Sequence, residues 1–185
     1  MVTILSKLPV EICGQVEETL AQAEHFHQGQ TRPGGESQMA HVLEVTDLAI
    51  GFGVAEKLND VDLSVLVCSA ALHDIIEDTH ATEEYLEIEF GERVARTVCA
   101  VSHADEEEPD EVYLRRVAAG GRLAVLVKRS DRLVNLRGLK KMPAQFRARK
   151  CAEVRAALPI WREIDPDGAP LIEELLREVE NESTS

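Results

Sequence analysis

No stretch of this chain reaches 18 consecutive apolar residues, and no basic segment followed by an apolar one opens it, so neither a membrane span nor a signal peptide is visible. Its cysteines form no C-x-x-C pair. Cys13, Cys68, Cys99 and Cys151 lie far apart, which argues against a thiolate metal site and for reduced, mostly buried thiols in a cytoplasmic protein. Strand-type alternation is missing, as are internal repeats, and aromatic residues amount to only 4%. What fills the chain is Leu, Ala, Val, Glu and Arg, a helix-forming set. With 185 residues and 44% hydrophobic content, an all-α single domain with a sizeable core is expected.

The formal charge of −14 disfavours non-specific nucleic-acid binding. The charge is unevenly spread, however. Residues 122–155 carry 11 of the 20 Lys/Arg and only Asp131 and Glu153 as acids. A basic segment around one acid suits a cleft for an anionic small molecule, although most of these cations read as a solvated helix face.

Punctuation divides the chain into helices. Pro9 to about His27 forms a first helix, and Gly29–Ser37 a loop rich in Gly and Pro. A second helix follows from Gln38 to about Gly51. Asp62 is the expected N-cap of a buried helix, and Thr82 that of a short helix ending at Gly91. Glu92–Ser102 continues helically, and Ala104–Asp110 is an acidic loop, the stretch where disorder is expected. Further helices are expected over 111–119, 121–141 and 144–158, with Pro143 and Pro159 as breaks, and a last one from Pro170 to about Val179. The domain is drawn as 1–180, with a flexible tail over 181–185.

Chemistry concentrates in His73-Asp74-Ile75-Ile76-Glu77-Asp78-Thr79, answered 53 residues after Asp78 by Asp131. The run before it, Leu63–Leu72, is almost wholly apolar, and carboxylates ending such a run are costly to bury unless something compensates them. A bound cation would. On a continuous helix His73 and Glu77 share one face, as do Asp74 and Asp78. Imidazole with carboxylates suits Mn²⁺, Fe²⁺ or Zn²⁺. Taken alone, the same string could be a helix C-terminal turn with solvated charges. Lys128, Asp131 and Asn135 fall at i, i+3 and i+7, a polar stripe on an otherwise apolar helix. His41, flanked by Met39, Val42 and Leu43, would taken alone be an ordinary core or surface histidine. His25, His80 and His103 read as surface histidines, His27 as structural, Trp161 as core and Glu106–Glu108 as solvated.

Together these segments resemble the HD-domain metal-dependent phosphohydrolases, and most closely the RelA/SpoT-type ppGpp hydrolase domain and its small stand-alone alarmone hydrolases. The family's H-x-G-Q-x-R loop reads His27 to Arg32, followed by a ligand histidine at His41. Its H-D-x-x-E-D-T is His73 to Thr79, its V-K-x-x-D-R-x-x-N is Val127 to Asn135, and a late Trp161 precedes Leu171 and Leu175. The resemblance spans roughly residues 20–177 and implies an HD-domain helical bundle.

Carried over, it implies one divalent metal held by His41, His73, Asp74 and Asp131, most often Mn²⁺, with Fe²⁺, Zn²⁺ or Co²⁺ as alternatives. Glu77 and Asp78 would position and deprotonate the attacking water. Arg32 and Asn135 would hold the nucleotide, with Lys128 and Thr79 nearby. The implied substrate is guanosine 3′,5′-bis(diphosphate), cleaved at the 3′ position to release pyrophosphate. With the chain ending at 185, a hydrolase without a synthetase domain is expected. The chain departs from the family at Pro33 (usually Lys), at Ser37-Gln38-Met39 (usually Pro-Tyr-Ile), at Val42 (usually Pro), and at Arg129, Ser130 and Val134 (usually Leu, Ala and His). Two other readings stay open: an HD phosphohydrolase for another phosphorylated nucleotide, and a non-catalytic nucleotide-binding or scaffold relative.

Overall fold

A computed structural model describes residues 2–105 and 108–181, all of its regular structure helical. Glu106 and Glu107 of the expected acidic loop, and 182–185 of the expected tail, lie outside the described residues. The helices are α1 (Val2–Leu5), α2 (Val10–Phe26), α3 (Gln38–Ala55), α4 (Asp60–Ala71), α5 (Ile75–Asp78), α6 (Glu83–Phe90), α7 (Glu92–Val101), α8 (Asp110–Ala119), α9 (Arg122–Leu139), α10 (Ala144–Ile164) and α11 (Ala169–Asn181). Among the described residues no helix is long and apolar enough to cross a membrane.

Helices α3, α4 and α9 pack on one another at the centre. Apolar side chains line both sides of that layer. On one side Val16 and Leu20 of α2 meet Val67 of α4, Ile75 of α5, Leu86 of α6 and Val98 of α7. On the other, Leu66 of α4 and Leu126 of α9 meet Tyr113 of α8, Trp161 of α10 and Ile172 of α11. Each buried Leu or Ile contributes about 1.5–3 kcal/mol, so the central layer is fixed from both faces.

Local chemistry sets the boundaries. Ser37 starts α3, its hydroxyl accepting from Ala40 N–H at 3.1 Å. The cap of α4 is Asn59, not Asp62. Asn59 accepts from the Asp62 backbone N–H at 3.0 Å and its amide donates back to the Asp62 carboxylate at 2.8 Å, so the two residues satisfy each other and the helix begins a turn early. Pro159 does not end α10. It sits on the exposed side of the helix, where the carbonyl it leaves unpaired can reach water, while Leu158 and Trp161 stay buried across it. Asn181 belongs to α11 rather than to a tail.

The expected continuous helix through the His73–Thr79 motif is broken. Helix α4 stops at Ala71 and α5 starts at Ile75, leaving His73 and Asp74 in the turn between them. The cause is local: the His73 ring takes the Ala70 carbonyl at 2.8 Å, the acceptor that Asp74 N–H would use in an uninterrupted helix. Both ligand-type side chains therefore leave the helix axis together.

Candidate metal centre

Four side chains converge from three places. His41 comes from the first turn of α3, His73 and Asp74 from the α4–α5 turn, and Asp131 from the middle of α9. His41 and His73 are 2% and 3% exposed and Asp131 4%. The two Nε2 atoms lie 3.2 Å apart. His41 Nε2 is 3.6 Å from Asp74 Oδ2 and 3.4 Å from Asp131 Oδ1. His73 Nε2 is 3.1 Å from Asp74 Oδ1 and 3.8 Å from Asp131 Oδ1.

These separations test whether one cation fits. Bonds of about 2.0–2.2 Å place neighbouring ligand atoms about 3–3.5 Å apart, close to the spread observed. The tautomer agrees as well. A hydrogen bond from His73 Nδ1–H to the Ala70 carbonyl turns Nε2 inward, where it offers a lone pair once its proton is displaced. Among the described residues His41, His73 and Asp74 present ligand atoms that all lie within 4.8 Å of one another, a donor set that fits one divalent metal, and Asp131 Oδ1 lies beside both imidazoles.

The carboxylates are held from outside. Lys128 Nζ lies 2.8 Å from Asp131 Oδ2, and Asn135 Nδ2 donates to Asp131 Oδ1 at 2.6 Å. Gln38 Nε2 donates to Asp74 Oδ2 at 2.6 Å. Burial alone would push both carboxyls up. For Asp131 the Lys128 ammonium and the two imidazoles overcome it, and for Asp74 His73 does most of the work, so both are held well below the usual carboxylate range. His73 shows the converse. Burial would lower its pKa, but Asp74 and Asp131 raise it to about 9.

Glu77 and Asp78 sit one turn beyond, on the open side. Burial raises both carboxyls, for Glu77 against the opposing hydrogen bond from His103 N–H at 2.7 Å. A cavity of about 270 Å³ adjoins the centre, lined by His41, Arg32, Asn135, Arg132, Phe146 and Lys150 among others. Arg32 and Asn135 meet there, 2.6 Å apart. Lys128 and Thr79 are not among its lining residues. Lys128 is turned onto Asp131 and lies over the Tyr113 ring, and the Thr79 hydroxyl closes its own turn, donating to Ile75 O and accepting from Ala81 N–H.

A family model described as "HD domain" matches residues 19–161. The chain belongs to the HD-domain family. A guanosine-3′,5′-bis(diphosphate) 3′-pyrophosphohydrolase of Haemophilus influenzae is 34% identical over 140 residues, covering 71% of this chain and 20% of that one. A GTP pyrophosphokinase of Myxococcus xanthus is 33% identical over 150 residues, covering 75% and 19%. The bifunctional (p)ppGpp synthase/hydrolase SpoT of Escherichia coli is 30% identical over 159 residues, covering 81% and 22%. The HD-domain chain therefore spans about a fifth of the length of these curated relatives. Among solved structures, one reported as a metazoan ortholog of SpoT that hydrolyzes ppGpp superposes with a TM-score of 0.72 at 24% identity, covering 88% of this chain and 94% of that one. At that identity the likeness is one of fold.

Within this HD domain several groups escaped sequence reasoning. His103, expected at the surface, stacks on Tyr113 at 3.7 Å between ring centroids, and its backbone holds Glu77. Glu108, expected to be solvated, folds inward, accepting from Ala104 N–H and pairing with Arg116 at 2.7 Å. The cations of 122–155 are largely paired rather than freely solvated: Arg122 with Glu56 and Asp165, Arg129 with Asp165, Lys140 with Glu178, Arg155 with Glu180. Gln38, conspicuous in sequence only as a departure, is 4% exposed and bonded to the Asp74 carboxylate.

Proposed function

We propose that this chain is a metal-dependent phosphohydrolase, with guanosine 3′,5′-bis(diphosphate) as substrate and pyrophosphate released from its 3′ position. The observation that carries the reading is the inward-facing quartet His41, His73, Asp74 and Asp131 beside a cavity lined by Arg32, Arg132 and Lys150. The names of relatives such as the Haemophilus pyrophosphohydrolase support the nucleotide. The quartet would hold one divalent cation, with Mn²⁺ as our assignment on the strength of the oxygen and imidazole donors.

When bound, the cation supplies Lewis acidity, making a water molecule acidic near neutral pH and polarising a phosphate oxygen. The chain's own groups do the rest. Glu77, its carboxyl raised by burial, takes the proton from the attacking water, and Asp78 beside it orients that water. Arg32 offers a guanidinium, the fork that phosphate recognition favours, and Asn135 holds it in place at 2.6 Å. Lys128 acts on Asp131 instead of on substrate, keeping that carboxylate ionised in a buried place. A cytoplasmic setting suits the free thiols and a small nucleotide substrate.

The test is a phosphate and pyrophosphate release assay on Mn²⁺-loaded protein with the guanosine tetraphosphate, using Asp74→Ala as control. Pyrophosphate release that vanishes in the variant supports the proposal. Orthophosphate release, or turnover only of other 3′-phosphorylated nucleotides, would move the chain to another substrate of the same reaction class.

A further inference from the structure

Arg32 and Asp74 carry opposite charges 3.8 Å apart at a half-buried site, yet they do not make a hydrogen bond with each other. Gln38 stands between them. Its amide oxygen accepts from Arg32 Nη1 at 3.2 Å, and its amide nitrogen donates to Asp74 Oδ2 at 2.6 Å. The orientation of this amide is fixed by chemistry, because a guanidinium only donates and an ionised carboxylate only accepts. A side-chain amide is the group that can satisfy both without joining them. The second guanidinium arm is occupied by Asn135 Oδ1 at 2.6 Å, and Asn135 in turn donates to Asp131 Oδ1 at 2.6 Å. The chain Asp74–Gln38–Arg32–Asn135–Asp131 thus spans the mouth of the centre from one carboxylate to the other.

Its support is rigid. Gln38 is the first residue of α3, and its backbone N–H donates to Gln30 O at 3.0 Å across the loop that carries Arg32. That loop closes on itself through Arg32 N–H to Glu36 O at 2.9 Å and turns at Gly35, whose φ of +83° other residues rarely adopt. The backbone of Arg32 is thus held in place, with Asn135 on one arm of its guanidinium, and the side chain at position 38 decides what the other arm meets.

We infer that Gln38 is a positioning residue that keeps Arg32 from pairing directly with Asp74. The carboxylate then stays available to a metal and the guanidinium to a phosphate. This role rests on the metal site proposed above. A direct Arg–carboxylate contact is the stronger, charge-assisted bond. With the amide gone, Arg32 needs to close less than an ångström on Asp74, and the metal would have to displace it.

The test is calorimetric titration of Mn²⁺ into four proteins: wild type, Gln38→Met, Arg32→Ala and the double variant, each first checked for a cooperative thermal melt. Met keeps the length of Gln and removes both hydrogen-bonding atoms. Gln38→Met should bind Mn²⁺ about 10–100-fold more weakly, the range for losing an outer partner of a ligand. Arg32→Ala alone should not weaken binding, and in the double variant it should restore much of the lost affinity. That rescue is the decisive readout, because a merely structural role for Gln38 gives no reason for removing a second side chain to help. Undiminished Mn²⁺ affinity in Gln38→Met, or a double variant as weak as the single, overturns the inference. If Gln38→Met does not fold, Gln38→Ala opens the same gap without adding bulk and is judged the same way. No nucleotide enters the titration. Mn²⁺ binding without alarmone turnover would remove the substrate only, whereas wild-type protein that takes up no Mn²⁺ would remove the metal site and this role together.

Discussion

His41 and His73 meet through their Nε2 atoms at 3.2 Å, both side chains buried, with Asp74 and Asp131 on either side of the gap. Two imidazoles in that position cannot both present a proton, nor can both present a lone pair, without something between them. In metal-free protein the bracketing carboxylates hold a proton on His73 up to about pH 9.

Metal binding should therefore release a proton near neutral pH. A cation at His73 Nε2 must displace it, so apparent Mn²⁺ affinity should climb roughly tenfold per pH unit until about pH 9, and then level off. Titrations in buffers of different ionisation enthalpy count the protons directly. For metal-free stability the sign is opposite. His73 is raised from 6.5 in the folded state, so its contribution is full below pH 6.5 and is lost as pH rises through about 9. Mn²⁺ affinity independent of pH between 6 and 8 would contradict the protonated His73.

Glu77 offers a separation of binding from chemistry. Its carboxyl accepts from His103 N–H and is raised by burial, but it is not one of the four inward donors. Glu77→Gln keeps that acceptor and removes the base. Turnover should fall by about 10²–10⁴, the usual contribution of a general base, while Mn²⁺ affinity stays near that of wild type. Full turnover with metal bound would assign the base elsewhere, to Asp78 first.

The difference between what was and was not legible in the sequence follows how locally each feature is determined. The all-α layout comes from composition and punctuation, which act residue by residue. That His41, His73, Asp74 and Asp131 come together was readable because they are rare residue types to find in apolar surroundings, and a resemblance supplied their grouping. The break at Leu72–Asp74 was not readable. It depends on one bond from the His73 ring to Ala70 O, and helical spacing alone predicts a continuous face. The resemblance sets Lys128 near the nucleotide, whereas the i, i+3 spacing that puts it on one face with Asp131 already contains the pairing the structure shows. Gln38 and Glu108 carry no chemical signature of their own. Their roles exist only once Arg32 and Arg116 fold against them. Arg122 pairs with Glu56 across 66 residues of sequence, which no window-based pattern can see.

Asp165 gives the last prediction, and it concerns the frame beneath the site. Its carboxyl is fully buried in the turn between α10 and α11, paired with Arg129, itself 4% exposed, and with Arg122 at 2.9 Å. Burial would raise this carboxyl, but the two guanidinium hydrogen bonds outweigh it and hold it below its ordinary value of 3.8. Arg129 lies on α9 two residues before Asp131, so this pair ties the helix that carries Asp131 to the end of the bundle. Asp165→Ala leaves a buried cation without its partner and should destabilise the fold by about 3–5 kcal/mol. Gly168→Ala should act in the same direction, because a Cβ there would lie 1.9 Å from Asp165 Oδ2 and 2.3 Å from Arg129 Nε. Because the folded pKa is depressed, the stabilisation is present above the ordinary value near 3.8 and disappears as pH falls below it. Urea denaturation of wild type and both variants at neutral pH, with wild type repeated in acid, measures all three. An Asp165→Ala protein as stable as wild type would mean that Arg129 finds another partner, for which Glu56, 3.8 Å away, is the nearest candidate.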